Sequence, residues 1–164
     1  MSTTGHYYFS SYFCPMKLVI QRVKKASVSI GGKVHSSIEQ GLLVLAGISH
    51  DDTSRDLEYA ANKLVQLRIC ADENGVMNRS VKDVDGAILV VSQFTLLAQT
   101  RKGNRPSYIA AARPEVAIPL YEQFCQLVTV LSGKAVATGV FGADMEVALI
   151  NDGPVTIVLD SREK

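Results

Sequence analysis

The segment Ser92-Gln93-Phe94-Thr95-Leu96 follows the apolar run Ala87–Val91, so polar groups stand where a buried strand is expected to end. The main-chain N–H groups of Phe94 and Thr95 are then expected to be free of sheet pairing. Two adjacent donors of this kind can stabilise the oxyanion of a tetrahedral intermediate. The pattern is compatible with acyl-group hydrolysis, with Ser92 and Gln93 binding the substrate, and it suits a strand that runs into a packed loop equally well.

Thr95 is also a candidate nucleophile. A threonine hydroxyl reacts poorly without a neighbouring base, and the local sequence supplies none, although an acidic residue from elsewhere can fold beside it. The three histidines, His6, His35 and His50, lie outside the segment and have no partner at metal-ligand spacing. The sequence also lacks G-x-S-x-G, H-E-x-x-H and a glycine-rich phosphate loop with its lysine. We therefore expect neither a metal nor a cofactor.

A second polar segment, Asn151-Asp152-Gly153-Pro154-Val155-Thr156, interrupts the apolar C-terminal region. Proline breaks strand pairing, so Gly153-Pro154 is expected to connect two strands. Together the two segments resemble the paired signatures of D-aminoacyl-tRNA deacylases, also called D-tyrosyl-tRNA deacylases. The resemblance extends from Met16 to about Asp160, which is nearly the whole chain.

The resemblance implies hydrolysis of the ester that joins a D-amino acid to tRNA. It implies that Phe94 and Thr95 are catalytic, that Ser92 and Gln93 bind the adenosine end of the substrate, and that the ribose 2′-OH assists. It also implies a homodimer with its active sites at the subunit interface. There a cis Gly153-Pro154 bond directs carbonyl groups into the neighbouring pocket, where they bind the substrate's amino group. An L-amino acid side chain would collide with this main chain, whereas glycyl-tRNA is expected to be accepted.

Three basic residues, Arg101, Lys102 and Arg105, follow the first segment. Exposed basic loops are commonly only solvated, but beside a tRNA-family pocket this one is predicted to contact acceptor-stem phosphates. Seventeen basic and sixteen acidic residues give a net charge of +1, so any RNA contact must use a local patch. A non-catalytic RNA-binding module that uses this loop and the Phe94 ring is an alternative.

The 164 residues suggest one domain, and no apolar run is long enough to span a bilayer. Cys14, Cys70 and Cys125 are widely spaced, which argues against a disulfide framework and favours a reducing compartment, so we expect a cytoplasmic protein. Residues 1–15 lack a secretory pattern and are interpreted as a disordered N-terminal extension. Residues 16–164 are assigned to the deacylase domain.

The hydrophobic pattern predicts mostly strands. They are expected at 18–23, 27–30, 33–36, 42–48, 67–71, 76–78, 87–91, 135–138, 145–150 and 155–159. One helix should begin at Thr53, with Asp56 as its capping partner, and a second should span Pro114 to Ser132 with a kink or an irregular first turn at Pro119. This order predicts the α/β class: a single domain with a mixed, mostly antiparallel, curled (barrel-like) sheet and two main helices packed on one side.

Overall fold

The computed structural model describes residues 15–163, so the predicted N-terminal extension lies almost wholly outside the described residues. Two α-helices and a short 3₁₀ helix, Phe94–Leu97, accompany eight strands in this part of the chain. The strands are β1 (Lys17–Ile30), β2 (Lys33–Ile38), β3 (Gly41–Gly47), β4 (Cys70–Ala71), β5 (Met77–Arg79), β6 (Ala87–Ser92), β7 (Ala137–Thr138) and β8 (Glu146–Asp160). The helices are α1 (Ser54–Gln66) and α2 (Pro114–Ser132).

The main sheet is built around β1, which pairs antiparallel with β2, β3 and β8. On the far side of β3 the pairing becomes parallel, first with β6 and then from β6 to β7. β4 and β5 form a separate antiparallel pair around a turn at Asn74-Gly75. The predicted mixed, mostly antiparallel sheet is therefore observed, with six strands.

Both faces of this sheet are buried, which explains the continuous apolar run in β3. Leu42 and Val44 face one cluster, which includes Leu64 of α1 and Phe124 of α2. Leu43 faces the second cluster, in which the strands pack against one another, because the sheet curls into a nearly closed barrel. The two helices thus pack on one side, as predicted.

Both helices begin where the sequence predicts. The carboxylate of Asp56 accepts hydrogen bonds from the Thr53 N–H, at 2.9 Å, and from the Thr53 hydroxyl, at 3.0 Å. The second helix ends before Gly133, which adopts a φ of 76°. It runs through Pro119 without interruption, so the expected irregularity does not break it. Pro119 removes only one backbone donor, and this side of the helix is exposed.

Two predictions of strand boundaries were wrong in the same way. The predicted strands 18–23 and 27–30 form one strand, because β8 pairs across the exposed Lys24 and Lys25 between them. The predicted strands 145–150 and 155–159 are likewise one strand, β8, which contains Gly153-Pro154 within its length. Pairing with β1 on both sides of this segment keeps the strand continuous. No helix within residues 15–163 has the length and apolar character needed to cross a membrane.

Candidate functional site

The segment Ser92–Thr95 lies where β6 leaves the sheet. Ser92 pairs with Ala46 of β3, and the Gln93 N–H donates a last hydrogen bond, of 2.8 Å, to the Ala46 carbonyl. The chain then turns into the 3₁₀ helix, whose first two residues are Phe94 and Thr95. Neither of their N–H groups donates a hydrogen bond to another residue within 15–163. Such donors are characteristic of a helix start, and the sequence predicted that these two would be free.

A cleft of about 310 Å³ opens beside this segment. Ser92, Gln93 and Phe94 form one of its walls. Other lining residues come from the segment after β7 and the start of β8, including Phe141, Asp144 and Met145. The sequence did not predict that the residues of this second wall belong to the site. They lie near Ser92, Gln93 and Phe94 only because β3, β6 and β7 pair in parallel. The volume is at the lower end of the range for small-molecule sites.

No carboxylate or imidazole among the described residues makes a hydrogen bond to the Thr95 hydroxyl. Within residues 15–163, its hydrogen-bond partner is the side-chain amide of Gln93, which donates to it. Asp144 lines the cleft but makes no hydrogen bond to Thr95 in this part of the chain. Burial raises the pKa of the Cys125 thiol to about 11 and also raises the pKa of Cys70, so neither is an activated thiolate. The described residues contain no cluster of metal-ligating side chains.

Gly153-Pro154 lies on a bulge of β8. Gln21 pairs with Thr156 and Val23 pairs with Asn151, so the four residues 152–155 stand opposite the single residue Arg22. The Gly153–Pro154 bond is cis, and both residues are exposed. The side chain of Asn151 closes the bulge from within, since it accepts from the Val155 N–H at 3.1 Å and donates to the Thr156 hydroxyl at 3.2 Å.

Arg22 holds this bulge in place, a role that the sequence analysis missed. Its Nε donates to the carbonyl oxygen of Asp152 at 3.1 Å and lies 3.3 Å from that residue's carboxylate. Its Nη1 donates to the carbonyl oxygen of Ile69 at 2.7 Å. The sequence predicted a strand over 18–23 and assigned no role to Arg22. The contact with Asp152 depends on the register between β1 and β8, which the local sequence does not determine.

The basic residues are carried on an exposed loop next to the cleft. Gln99 and Ser107 close the base of the loop with two main-chain hydrogen bonds, of 2.8 and 3.0 Å. The side chains of Arg101, Lys102 and Arg105 are exposed between them. The ring contact of Tyr108, which follows Ser107, with Phe94 places the base of this loop beside the Ser92–Thr95 segment. Within the described residues, no hydrogen bond or ring contact joins Gly153-Pro154 to that group.

Comparison with known proteins connects this geometry to a family. The family described as D-Tyr-tRNA(Tyr) deacylase matches residues 19–160. A D-aminoacyl-tRNA deacylase of Porphyromonas gingivalis is 61% identical over 149 residues, which are 91% of this chain and 99% of that protein. The chain belongs to the D-aminoacyl-tRNA deacylase family. It is accordingly a hydrolase that acts on aminoacyl-tRNA, as the resemblance implied.

A further relative and two solved structures are also similar to the chain. The D-aminoacyl-tRNA deacylase of Flavobacterium psychrophilum is 57% identical over the same share of both chains. A solved structure of a protein named "c-Myc DNA Unwinding Element Binding Protein" is 42% identical, with a TM-score of 0.83 over 88% of this chain and 97% of that one. A probable eukaryotic D-amino acid tRNA deacylase, 20% identical, shares the fold with a TM-score of 0.76 over 88% and 98% of the two chains.

Proposed function

We propose that this deacylase hydrolyses D-aminoacyl-tRNA by main-chain stabilisation of the oxyanion. Water supplies a hydroxyl group to the acyl carbon and a proton to the ribose 3′ oxygen, and the ester bond between these two atoms breaks. The N–H groups of Phe94 and Thr95 bind the oxyanion that forms on the way. Ser92 and Gln93 bind the terminal adenosine in the cleft of about 310 Å³.

One observation carries this proposal: the two N–H groups are adjacent and lack partners within residues 15–163, and the first of them belongs to Phe94, which lines the cleft. Both residues belong to the first turn of the 3₁₀ helix, which fixes the direction of their N–H groups before substrate binds. Donors held in this way require no reorganisation during the reaction. Each contributes about 3 kcal/mol of transition-state stabilisation in comparable enzymes.

We propose that the hydroxyl group that assists hydrolysis comes from the substrate and not from Thr95. The terminal ribose carries a 2′-OH beside the esterified 3′ oxygen, within reach of the same carbonyl carbon. Thr95 has only the Gln93 amide as hydrogen-bond partner in the described chain, and an amide is not a base. The hypothesis of a Thr95 nucleophile therefore lacks the group that would activate it.

Chiral selection is proposed to come from the Gly153-Pro154 bulge of a second copy of the chain. The bulge is exposed, and within the described residues of one chain it makes no hydrogen bond to the Ser92–Thr95 segment. A homodimer would place its carbonyl groups in the neighbouring cleft, where they bind the amino group of the substrate. An L side chain would then meet the main chain, whereas D-amino acids and glycine would not.

The basic loop is proposed to contact tRNA phosphates through Arg101, Lys102 and Arg105, which are exposed beside the cleft. We place this activity in the cytoplasm. Cys70 and Cys125 are both free thiols within the described chain, which suits a reducing compartment.

Three substrates test the mechanism: D-tyrosyl-tRNA, L-tyrosyl-tRNA, and D-tyrosyl-tRNA that ends in 2′-deoxyadenosine. We expect rapid release of the amino acid from the first alone. D-tyrosyl-tRNA incubated without protein is the control for spontaneous hydrolysis. Normal cleavage of the deoxy substrate would contradict the assistance by the 2′-OH, and equal cleavage of both enantiomers would contradict the chiral role of the bulge.

Binding of DNA, in addition to hydrolysis, is the second candidate function. The observation that favours it is the 42% identity to a protein whose name describes binding to a DNA unwinding element. This role predicts that a DNA oligonucleotide binds the protein in an electrophoretic mobility shift assay. Failure of DNA to bind would contradict the second function and leave the hydrolysis assay unaffected.

A further inference from the structure

Two aromatic side chains lie exposed at the junction between the cleft and the basic loop. The rings of Phe94 and Tyr108 meet edge to face, with their centroids 5.1 Å apart and an interplanar angle of 74°. In spite of this contact, 54% of Phe94 and 39% of Tyr108 is exposed. Exposed aromatic pairs are uncommon on surfaces that contact only water, and the oxyanion role assigned to Phe94 uses its main chain and not its ring.

The fold ties this pair to the basic loop. Ser107, whose main chain pairs with Gln99 at the base of the loop, directly precedes Tyr108. The exposed cations Lys102 and Arg105 therefore project from a loop whose base adjoins the ring of Tyr108. Phe94 lines the cleft on the other side of the contact. The order along this surface is cleft, aromatic pair, basic loop.

The charge of this region indicates what kind of partner it fits. Residues 86–114 contain four basic residues and no acidic residue, although the whole chain has a net charge of only +1. A surface that combines aromatic rings with cations is typical of proteins that bind single-stranded nucleic acid, because bases stack on the rings while cations contact the phosphates.

We propose that Phe94 and Tyr108 form a stacking platform for the unpaired nucleotides that precede the terminal adenosine of tRNA. This inference rests on the proposed function, in which the adenosine occupies the cleft. The next nucleotides of the single-stranded 3′ end then pass over the two rings, and their phosphates face Lys102 and Arg105. The platform is tolerant of base identity, because every base has a face that can stack.

The experiment compares two inhibitors of D-tyrosyl-tRNA hydrolysis, adenosine and the trinucleotide cytidylyl-cytidylyl-adenosine. The wild type and Tyr108→Phe are expected to bind the trinucleotide more tightly than adenosine. Tyr108→Ala should lose about 5- to 150-fold of trinucleotide affinity, which is the typical effect of one stacked base, with little change for adenosine. The KM for D-tyrosyl-tRNA should rise in parallel. Tyr59→Ala, at a half-buried tyrosine on α1, is the control.

Three outcomes would overturn the platform. Equal weakening of both inhibitors would mean that Tyr108 only positions Phe94. Unchanged inhibition by the trinucleotide would mean that no base stacks there. Dissociation of a homodimer by Tyr108→Ala, with trinucleotide affinity recovered at high protein concentration, would mean that a second copy covers the rings. A wild type that releases no amino acid from D-tyrosyl-tRNA would instead contradict the proposed function, so the two failures are distinguishable.

Discussion

Arg22 binds Asp152 across the β1–β8 pair through both the main-chain carbonyl and the carboxylate of that residue. The guanidinium also binds the Ile69 carbonyl, which anchors it from the other side. A planar fork with several donors can satisfy these acceptors together, whereas the ammonium group of lysine acts as a single point charge. Arg22 is therefore a positioning residue for the bulge that carries Gly153-Pro154.

Arg22→Lys tests this assignment. Loss of the charge-assisted hydrogen bonds should lower kcat/KM for D-tyrosyl-tRNA about 10- to 100-fold and bring the rates for D- and L-tyrosyl-tRNA closer together. Steady-state kinetics on both enantiomers provides the measurement. Arg68→Lys is the matched control, because Arg68 binds the Asn78 carbonyl away from the bulge. An unchanged ratio between the enantiomers in Arg22→Lys would show that the arginine has only a structural role.

Gly153→Ala should impair the bulge directly. Gly153 has a φ of 125°, which L residues rarely adopt, and an added Cβ would lie 2.9 Å from the Val155 side chain and 3.0 Å from Nη2 of Arg22. We expect at least a tenfold loss of activity on D-tyrosyl-tRNA. Gly75→Ala is the control, since Gly75 also has a positive φ, of 77°, but has open space around it. Equal activity of the two variants would contradict a role for the bulge in the site.

Thr95→Ala separates main-chain catalysis from side-chain catalysis. If the N–H group of Thr95 is the working donor, the alanine variant should keep kcat within about tenfold of the wild type, because alanine retains that group. Thr95→Ser is the control that preserves a hydroxyl. Single-turnover release of tyrosine from D-tyrosyl-tRNA is the measurement. A thousandfold loss in Thr95→Ala with full activity in Thr95→Ser would establish the hydroxyl as the nucleophile.

The basic loop should determine how the reaction responds to salt. Lys102→Ala and Arg105→Ala should each raise the KM for D-tyrosyl-tRNA and reduce the slope of log KM against log salt concentration by about one. Lys33→Ala, at an exposed lysine of the β2 hairpin, is the control. Salt dependence that is the same in all three variants would exclude phosphate contacts by this loop.

Asp52 should make stability depend on pH. Burial raises the pKa of its carboxyl group to about 7, against the opposing effect of hydrogen bonds from the Ser49 and Met16 N–H groups. The unfolded carboxyl group titrates near 4, so between these values the folded state binds a proton that the unfolded state has lost. The contribution of Asp52 to the free energy of unfolding therefore falls as the pH rises through this window.

Denaturant unfolding at pH 5 and pH 8 measures this effect. The wild type should lose about 2 kcal/mol more than Asp52→Asn between the two pH values. The variant itself should be less stable at pH 8, because its amide cannot accept from both N–H groups. Identical pH dependence in the two proteins would show that the carboxyl group stays ionised in the folded state.

The sequence predicted those parts of the fold that depend on local patterns. The positions of both helices and the capping contact between Thr53 and Asp56 depend on neighbours along the chain. The continuity of β1 and β8 depends on pairing between residues more than a hundred positions apart, such as Lys25 and Ile150. Local polarity at such positions therefore suggested breaks that the sheet does not have.

The features of the candidate site likewise differ in whether they depend on local sequence or on contacts between distant parts of the chain. The free N–H groups of Phe94 and Thr95 could be predicted, because the end of an apolar run marks the end of a strand. The partners Arg22 and Tyr108 could not, since each reaches its contact through strand register or loop closure. Phe141 and Met145 join the cleft only through the parallel arrangement of β6 and β7.

The bulge of β8 is held by paired strand on both of its sides, unlike a hairpin tip or a hinged lid. Opening it would require the rupture of ladder hydrogen bonds in two places at once. If this segment selects between mirror-image substrates as proposed, the selection requires no closing motion and should change little with solvent viscosity. Fidelity in this enzyme would then be a property of a stationary surface.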